Sequence, residues 1–128
     1  MPAYPGPNQA KLMRENTQVQ LWQNDTVPAG VLNGSLSMAV QLERVRSAHY
    51  PWGFSVEVAF SGAPGVFEVD IMGADTDNAN YYVTLRTIAA VNAGNVGRVD
   101  ILDTWVKYVA LYMRTLPNAV TVTGQITR

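Results

Sequence analysis

Apolar and polar residues alternate with a period of two along much of the chain after residue 16. The clearest alternating runs are residues 36–42, 54–60, 67–71 and 120–126. Successive side chains of a β-strand point to opposite faces of its sheet, so each run predicts a strand with one apolar and one polar face. Further strand candidates are residues 18–22, 81–88, 96–102 and 105–113. The pattern therefore predicts about eight strands and no convincing amphipathic helix.

Turn-forming residues separate these predicted strands. Residues 61–65, Ser-Gly-Ala-Pro-Gly, stand between two alternating runs, and a five-residue loop in that place predicts a β-hairpin. Short strands with turns at intervals of about ten residues are typical of antiparallel sandwiches and jelly rolls. We therefore expect an all-β fold, an antiparallel β-sandwich that is jelly-roll-like, with residues 17–128 forming one domain.

The first 16 residues differ from the rest of the chain. Three prolines, one glycine and a polar stretch predict an extended N-terminal arm over residues 1–16. Tyr4, Leu12 and Met13 would give such an arm apolar side chains to bury on a partner. A frayed terminus is the alternative interpretation.

The predicted strand at residues 105–113 is apolar on both faces. One face would carry Trp105, Lys107, Val109, Leu111 and Met113. The other face would carry Val106, Tyr108, Ala110 and Tyr112. A sheet with one face in water should not have apolar side chains on both sides. Either the strand is central and covered on both faces, or its outer face meets another subunit, and we favour the second alternative.

Aromatic side chains are the candidate contacts for such an interface. Trp52 follows a loop and is the best candidate for an exposed anchor. The predicted subunit or coat interface consists of Tyr4, Trp52, Trp105, Tyr108 and Tyr112.

Composition narrows the class of function. The chain has 128 residues, of which 48% are hydrophobic and 15% charged, with a net charge of −1. That charge excludes a nucleic-acid binder held mainly by phosphate contacts. No apolar run approaches the ~20 residues that cross a bilayer, and from the first residues we expect no secretory signal. We expect no nucleic-acid or membrane partner and synthesis in a cytoplasm.

The residues needed for catalysis are scarce. The chain has no cysteine and one histidine, His49, with no Gly-x-Ser-x-Gly elbow to accompany it. Phosphate-binding glycine loops are also absent from the sequence. Glu68 and Asp70 lie on one outward strand face, where we expect solvated acids paired with Arg86, Arg98 or Lys107. The sequence predicts no enzyme, no catalytic residue and no cofactor.

One acidic loop has the spacing of a calcium ligand set. In Asp75-Thr76-Asp77-Asn78 oxygen ligands alternate, which suits a hard cation. Asn80 and Arg86 stand where an EF-hand loop needs glycine and a bidentate glutamate. Capping of a strand connection by Asp side chains is the simpler interpretation. We predict no metal site, although a cation at Asp75 and Asp77 stays open.

Two stretches of the chain resemble a known class of proteins. The first comprises residues 65–71, Ala74-Asp75-Thr76-Asp77 and Tyr81-Tyr82-Val83. The second comprises Gly97-Arg98-Val99-Asp100, residues 107–113 and Leu116-Pro117-Asn118-Ala119. Together they resemble small virion structural proteins of tailed bacteriophages, most closely head decoration (cement) proteins with a β-sandwich or jelly-roll fold.

The resemblance implies a function and a set of partners. Such a protein is non-enzymatic, is made in the bacterial host cytoplasm and sits in many copies on the capsid exterior. It forms a homo-oligomer, a dimer or trimer, and clamps subunits of the major capsid protein. Two alternatives stay open: another phage tail or head-tail component, and a carbohydrate-binding β-sandwich module that uses Trp52 or Trp22.

Overall fold

The computed structural model describes residues 3–14, 17–43, 53–89, 95–102 and 106–128. These residues form nine β-strands and one 3-10 turn, Ala79–Tyr81. The strands are β1 (Lys11–Met13), β2 (Gln18–Asp25), β3 (Val40–Leu42), β4 (Gly53–Phe60), β5 (Glu68–Ala74), β6 (Val83–Ala89), β7 (Val96–Leu102), β8 (Tyr108–Thr115) and β9 (Val122–Thr127). Among the described residues no helix has the length and apolar character needed to cross a membrane.

The strands form two sheets. One sheet has five strands in the order β1-β3-β8-β5-β6, and the other has four in the order β2-β9-β4-β7. All neighbouring strands are antiparallel except β1 and β3, which are parallel. The predicted all-β antiparallel sandwich is confirmed.

The pairing of strands is nested along the chain. β2 pairs with β9, β3 with β8, β4 with β7 and β5 with β6. The chain from β2 to β9 is therefore one long antiparallel hairpin wound into two sheets, and the pairs β4–β9 and β5–β8 join its turns laterally. This nested order is the jelly-roll arrangement.

The predicted hairpin at residues 61–65 is wrong. β4 pairs with β7 and β9, whereas β5 pairs with β6 and β8, so the loop passes from one sheet to the other. Phe60 and Phe67, at the two ends of this crossing, pack with ring centroids 4.6 Å apart. Alternation predicts which face of a strand is buried. Because both sheets bury their inner faces in the same core, alternation does not predict which strand pairs with which.

Apolar side chains from both sheets fill the space between them. Large, fully buried ones among them are Trp22, Phe67, Met13, Leu21, Ile71, Leu111, Met113, Ile126, Val40, Val56 and Val58. Glycine takes two inward positions where the sheets approach closely. A Cβ on Gly124 would lie 2.7 Å from Leu111 Cδ1, and one on Gly97 would lie 2.5 Å from Ile88 Cγ2.

Candidate interaction surface

The N-terminal residues lie against the chain's own five-stranded sheet. The Tyr4 amide donates to the Leu36 carbonyl oxygen at 3.0 Å, and the Lys11 amide donates to that of Ala39 at 3.2 Å. Strand β1 then runs parallel to β3, with Met13 buried in the inter-sheet core. Residues 3–13, called here the N-terminal segment, therefore lie beside residues 36–42. The sequence did not predict β1, because three residues carry too little periodicity to be read as a strand.

A buried carboxylate, Asp77, holds the N-terminal segment to the loop between β5 and β6. Asp77 Oδ2 accepts the amides of Gln9 at 3.0 Å and Ala10 at 3.1 Å. Its backbone oxygen accepts the Asn8 amide at 3.1 Å. Tyr82 donates its hydroxyl to Asp77 Oδ1 at 2.8 Å. The side chain of Asp77 thus has hydrogen-bond donors on both oxygens, and we call this arrangement the Asp77 latch.

The Asp77 latch is relevant to the possible cation site at Asp75 and Asp77, which the sequence analysis left open. Asp77 is 0% exposed and directs its oxygens toward amide and hydroxyl donors, whereas Asp75 is exposed. Within the described part of the chain, no three acidic or histidine side chains lie together as a metal ligand set. The geometry at Asp77 is that of a carboxylate capping backbone amides.

Two tyrosines complete the latch. Burial, reinforced by the hydrogen bond to Asp77, raises the pKa of Tyr82 far above its ordinary value of 10.0. Burial, followed by the negative charge of Asp77, also raises the pKa of Tyr4. The Tyr4 and Tyr82 rings meet edge to face, with centroids 6.4 Å apart and planes at 83°. Both hydroxyls therefore stay protonated at neutral pH and donate to Asp77, Tyr82 to its carboxylate and Tyr4 to its backbone oxygen.

The outer face of β8 packs in the same apolar cluster as Tyr4 and Tyr82 of the latch. Ala110 is 0% exposed, and Tyr108 and Tyr112 on either side of it are half-buried. The cover comes from within the chain: Leu36, Ala39, Ala74 and Tyr82 form one apolar cluster with Ala110. The favoured interpretation, an outer face left open for another subunit, is therefore wrong at Ala110. The first alternative, a central strand covered on both faces, is the one found there.

The structure brings together three of the five predicted interface residues. Tyr4, Tyr108 and Tyr112 all pack against the cluster around Ala110. Lys107 adds its ammonium group 5.5 Å from the centroid of the Tyr108 ring. Trp52 and Trp105 lie outside the described residues. The role of these aromatic residues in an interface stays a prediction.

A groove of about 400 Å³ opens beside the N-terminal segment. Its lining residues are Tyr4, Pro5, Gly6, Pro7, Leu32, Asn33, Asn78, Ala79 and Asn80. None of these side chains is charged. Among the lining residues Leu32 is 52% exposed. Val31 and Tyr81, which adjoin the lining residues Leu32 and Asn80 in the sequence, are 53% and 64% exposed. We call this feature the N-terminal groove.

The paired acids Glu68 and Asp70 are built into an ion-pair network. Arg114 Nη2 lies 3.1 Å from Glu68 Oε2 and 3.2 Å from Asp70 Oδ1. Thr87 also donates its hydroxyl to Asp70 Oδ1 at 2.7 Å. The expectation of two solvated acids is wrong for Asp70, which is buried. The partner is Arg114 on β8, because β8 lies beside β5, rather than any of the three cations named from the sequence.

Sequence reasoning missed the function of Asp77. It weighed this residue as a cation ligand, while the structure shows it holding residues almost 70 positions earlier in the chain. The signal available was local: an aspartate in the loop between two strands, followed by Tyr82. Nothing in that pattern names Gln9 and Ala10 as donors, since the contact depends on the path of the N-terminal segment.

Comparisons with known proteins add little to this description. No protein-family model and no curated protein sequence gives a significant match to the chain. Among solved structures, the chain is similar to the pre-peptidase C-terminal domain of collagenase from Bacillus anthracis, with a TM-score of 0.49 and 12% sequence identity. The alignment covers 94% of this chain and 95% of that one. The β-sandwich assignment stands on the strand order and pairings, and these comparisons assign the chain to no family.

Proposed function

We propose that this chain is a non-enzymatic virion structural protein, a decoration or cement protein on the capsid exterior of a tailed bacteriophage. The N-terminal groove carries the proposal, because it combines an uncharged lining with large apolar side chains that stay exposed. Exposed apolar surface of this kind marks contacts with other proteins. The partner we propose for it is the major capsid protein.

The fold supports this proposal. Jelly rolls occur in viral capsid domains and in lectins, so the nested strand order is compatible with a virion protein. The resemblance of residues 65–83 and 96–126 to small virion structural proteins also supports the proposal. Contacts repeated over many copies on a shell add up through multivalency, so a shallow groove is sufficient and a deep pocket is not required.

A homo-oligomer is part of the proposal. Strand β6 lies at the edge of the five-stranded sheet, and most of its side chains are exposed or half-buried. A seven-residue edge presents unpaired backbone groups that another strand can pair with. Pairing of this edge with a second copy would give a dimer, one of the two homo-oligomers, dimer or trimer, that the proposal allows.

The experiment measures binding of the purified protein to phage heads that lack it. We expect co-sedimentation, and heads that rupture at a higher temperature once coated. The double variant Leu32→Ser and Tyr81→Ser should weaken head binding by about tenfold or more, since Leu32 lines the groove, Tyr81 follows the lining residue Asn80, and both substitutions remove exposed apolar surface. Val66→Ser is the matched control, because Val66 is also exposed. It comes before the first residue of β5, whereas the groove residues 78–80 come after the last one.

The outcomes separate the alternatives. Wild-type protein that stays in the supernatant, at every protein concentration used, would refute the capsid assignment. Binding at a copy number of only a few per particle would instead indicate a tail or head-tail component. Undiminished binding of the double variant would show that the contact lies elsewhere on the surface, and equal loss in the control would show that the effect is not specific to the groove.

A further inference from the structure

The outer face of the four-stranded sheet carries a regular array of polar side chains. Cross-strand register places Gln18, Thr127, Ser55 and Asp100 in one row across β2, β9, β4 and β7. The next row consists of Gln20, Gln125, Glu57 and Arg98. On the five-stranded sheet, by contrast, the outer face around Ala110 is covered by the chain itself. Every side chain in the two rows is polar, and each is exposed or half-buried.

This face is concave over its two central strands. A hollow of about 180 Å³ is lined by Gln18, Ser55, Glu57, Arg98, Gln125 and Thr127. Ser55, Glu57 and Gln125 are half-buried, while Gln18 and Arg98, on the two outer strands, are exposed. The central side chains thus form a floor, and the outer two form the sides of a groove.

Among the described residues, the hydrogen bonds that link Gln125 to Glu57 and Gln18 to Thr127 in this groove are long. Gln125 Nε2 lies 3.4 Å from Glu57 Oε1, and Gln18 Nε2 lies 3.4 Å from Thr127 Oγ1. Such distances are beyond the usual range for strong hydrogen bonds. Amide, carboxylate and hydroxyl groups in this arrangement retain donors and acceptors that a ligand can use.

A second hollow continues the first toward the start of β4. Its volume is about 260 Å³, and it shares Ser55, Arg98 and Thr127 with the first hollow. From Gly53 to Glu57 the combined groove extends about 13 Å at the ~3.3 Å rise per residue of a strand. That length accommodates two or three pyranose rings placed end to end.

Charge on the groove favours a neutral ligand. The two hollows contain two acidic side chains, Glu57 and Asp100, and two basic ones, Arg98 and Arg128. Arg98 donates from Nε and Nη2 to Asp100 Oδ1, both at 3.2 Å, so its charge is offset locally. A phosphate or a polyanion would find no excess of positive charge here.

We propose that this groove binds a neutral oligosaccharide. Adjacent sugar hydroxyls each donate and accept a hydrogen bond, which matches a floor of Glu57, Gln125 and Ser55. An extended peptide binds preferentially at a sheet edge, where backbone groups are unpaired, and the central strands β4 and β9 have no free edge. Phe54, the aromatic residue in the lining of the second hollow, is buried, so we expect affinity to depend on hydrogen bonds and to be in the millimolar range.

The test is a titration of isotope-labelled protein with cellohexaose, maltohexaose and xylohexaose, followed by amide chemical shifts. We expect saturable shifts at Ser55, Glu57, Gln125 and Thr127 with at least one of these oligosaccharides. Gln125→Ala should weaken that binding roughly fivefold, as expected for the loss of one amide's hydrogen bonds. Gln41→Ala is the matched control, since Gln41 is a half-buried strand glutamine in the other sheet.

The proposal is overturned if none of the three oligosaccharides gives saturable shifts at about 10 mM, a concentration well above millimolar dissociation constants. It is also overturned if the shifts map to the N-terminal groove or if Gln41→Ala weakens binding as much as Gln125→Ala. Thermal unfolding of both variants establishes that each is folded. Because the titration uses the isolated protein, its outcome is independent of capsid binding.

Discussion

The Tyr82 hydroxyl and the Asp77 carboxylate form a buried hydrogen bond of 2.8 Å, and the same carboxylate caps two amides of the N-terminal segment. Tyr82 thereby fixes one oxygen of Asp77 while Gln9 and Ala10 occupy the other. The latch connects the β5–β6 loop to residues that also border the N-terminal groove. Its integrity is therefore expected to control both stability and the shape of the proposed coat-binding surface.

Replacing Asp77 with alanine should destabilise the protein by about 3 kcal/mol, because it leaves two amides and one hydroxyl without their acceptor in a buried site. The amides of Gln9 and Ala10 should also exchange faster with deuterium. Urea unfolding gives the first quantity and amide exchange gives the second. Asp75→Ala is the control, since Asp75 is exposed two residues earlier. Equal stability of the two variants would contradict the latch.

Tyr82 should make the protein sensitive to alkaline pH. Its pKa is raised in the folded state above the ordinary value of 10.0, so the unfolded chain loses this proton first as the pH rises. The stabilising contribution is complete below pH 10 and is lost at about 1.4 kcal/mol per pH unit above it. Urea unfolding between pH 8 and pH 11 should show a steeper decline for the wild type than for Tyr82→Phe. Parallel curves would show that Tyr82 titrates equally in both states.

Alternation along the sequence predicted which side chains face the core, because the two faces of a strand are a local property. Val56 and Val58 are both fully buried, and Val109 and Leu111 share the inner face of β8 as expected. Local alternation also placed Tyr108 and Tyr112 on one face. The pairing partners of the strands were harder to predict from the sequence, since a jelly roll joins strands that are far apart in the chain. The erroneous hairpin at residues 61–65 comes from this limit.

The same limit applies to the candidate sites. Tyr4 reaches Tyr82 only because the N-terminal segment lies beside residues 36–42. The alternation pattern of the sequence does not predict this position. The partner of Asp70 is Arg114, which can be named only when β8 is known to lie beside β5. The polar groove likewise requires the register of four strands. Residue types on each strand were evident from the sequence, but their juxtaposition was not.

Asp70 should matter more than Glu68, although both accept from Arg114. The side chain of Asp70 is 6% exposed and that of Glu68 is 38% exposed. Asp70→Ala should cost about 2 kcal/mol, because it leaves the Thr87 hydroxyl without its acceptor, whereas the half-exposed Arg114 keeps Glu68 as a partner. Glu68→Ala, the matched control, should cost less than about 1 kcal/mol, as for an exposed ion pair. Chemical denaturation measures both, and a reversed ranking would contradict this network.

Gly124 should tolerate no side chain, because a Cβ there would lie 2.7 Å from Leu111 Cδ1 and 3.1 Å from Trp22 Cε3. Gly124→Ala should destabilise by about 2 kcal/mol through overpacking between the sheets. Gly62→Ala is the control: its Cβ meets Val120 Cγ1 at 3.4 Å, so we expect a change within about 0.5 kcal/mol. If the clash with Leu111 is the cause, Gly124→Ala should cost much less in a Leu111→Ala background, where the interfering methyl groups are gone. A double-mutant cycle by urea unfolding measures this coupling, and additive effects would place the origin of the penalty away from Leu111.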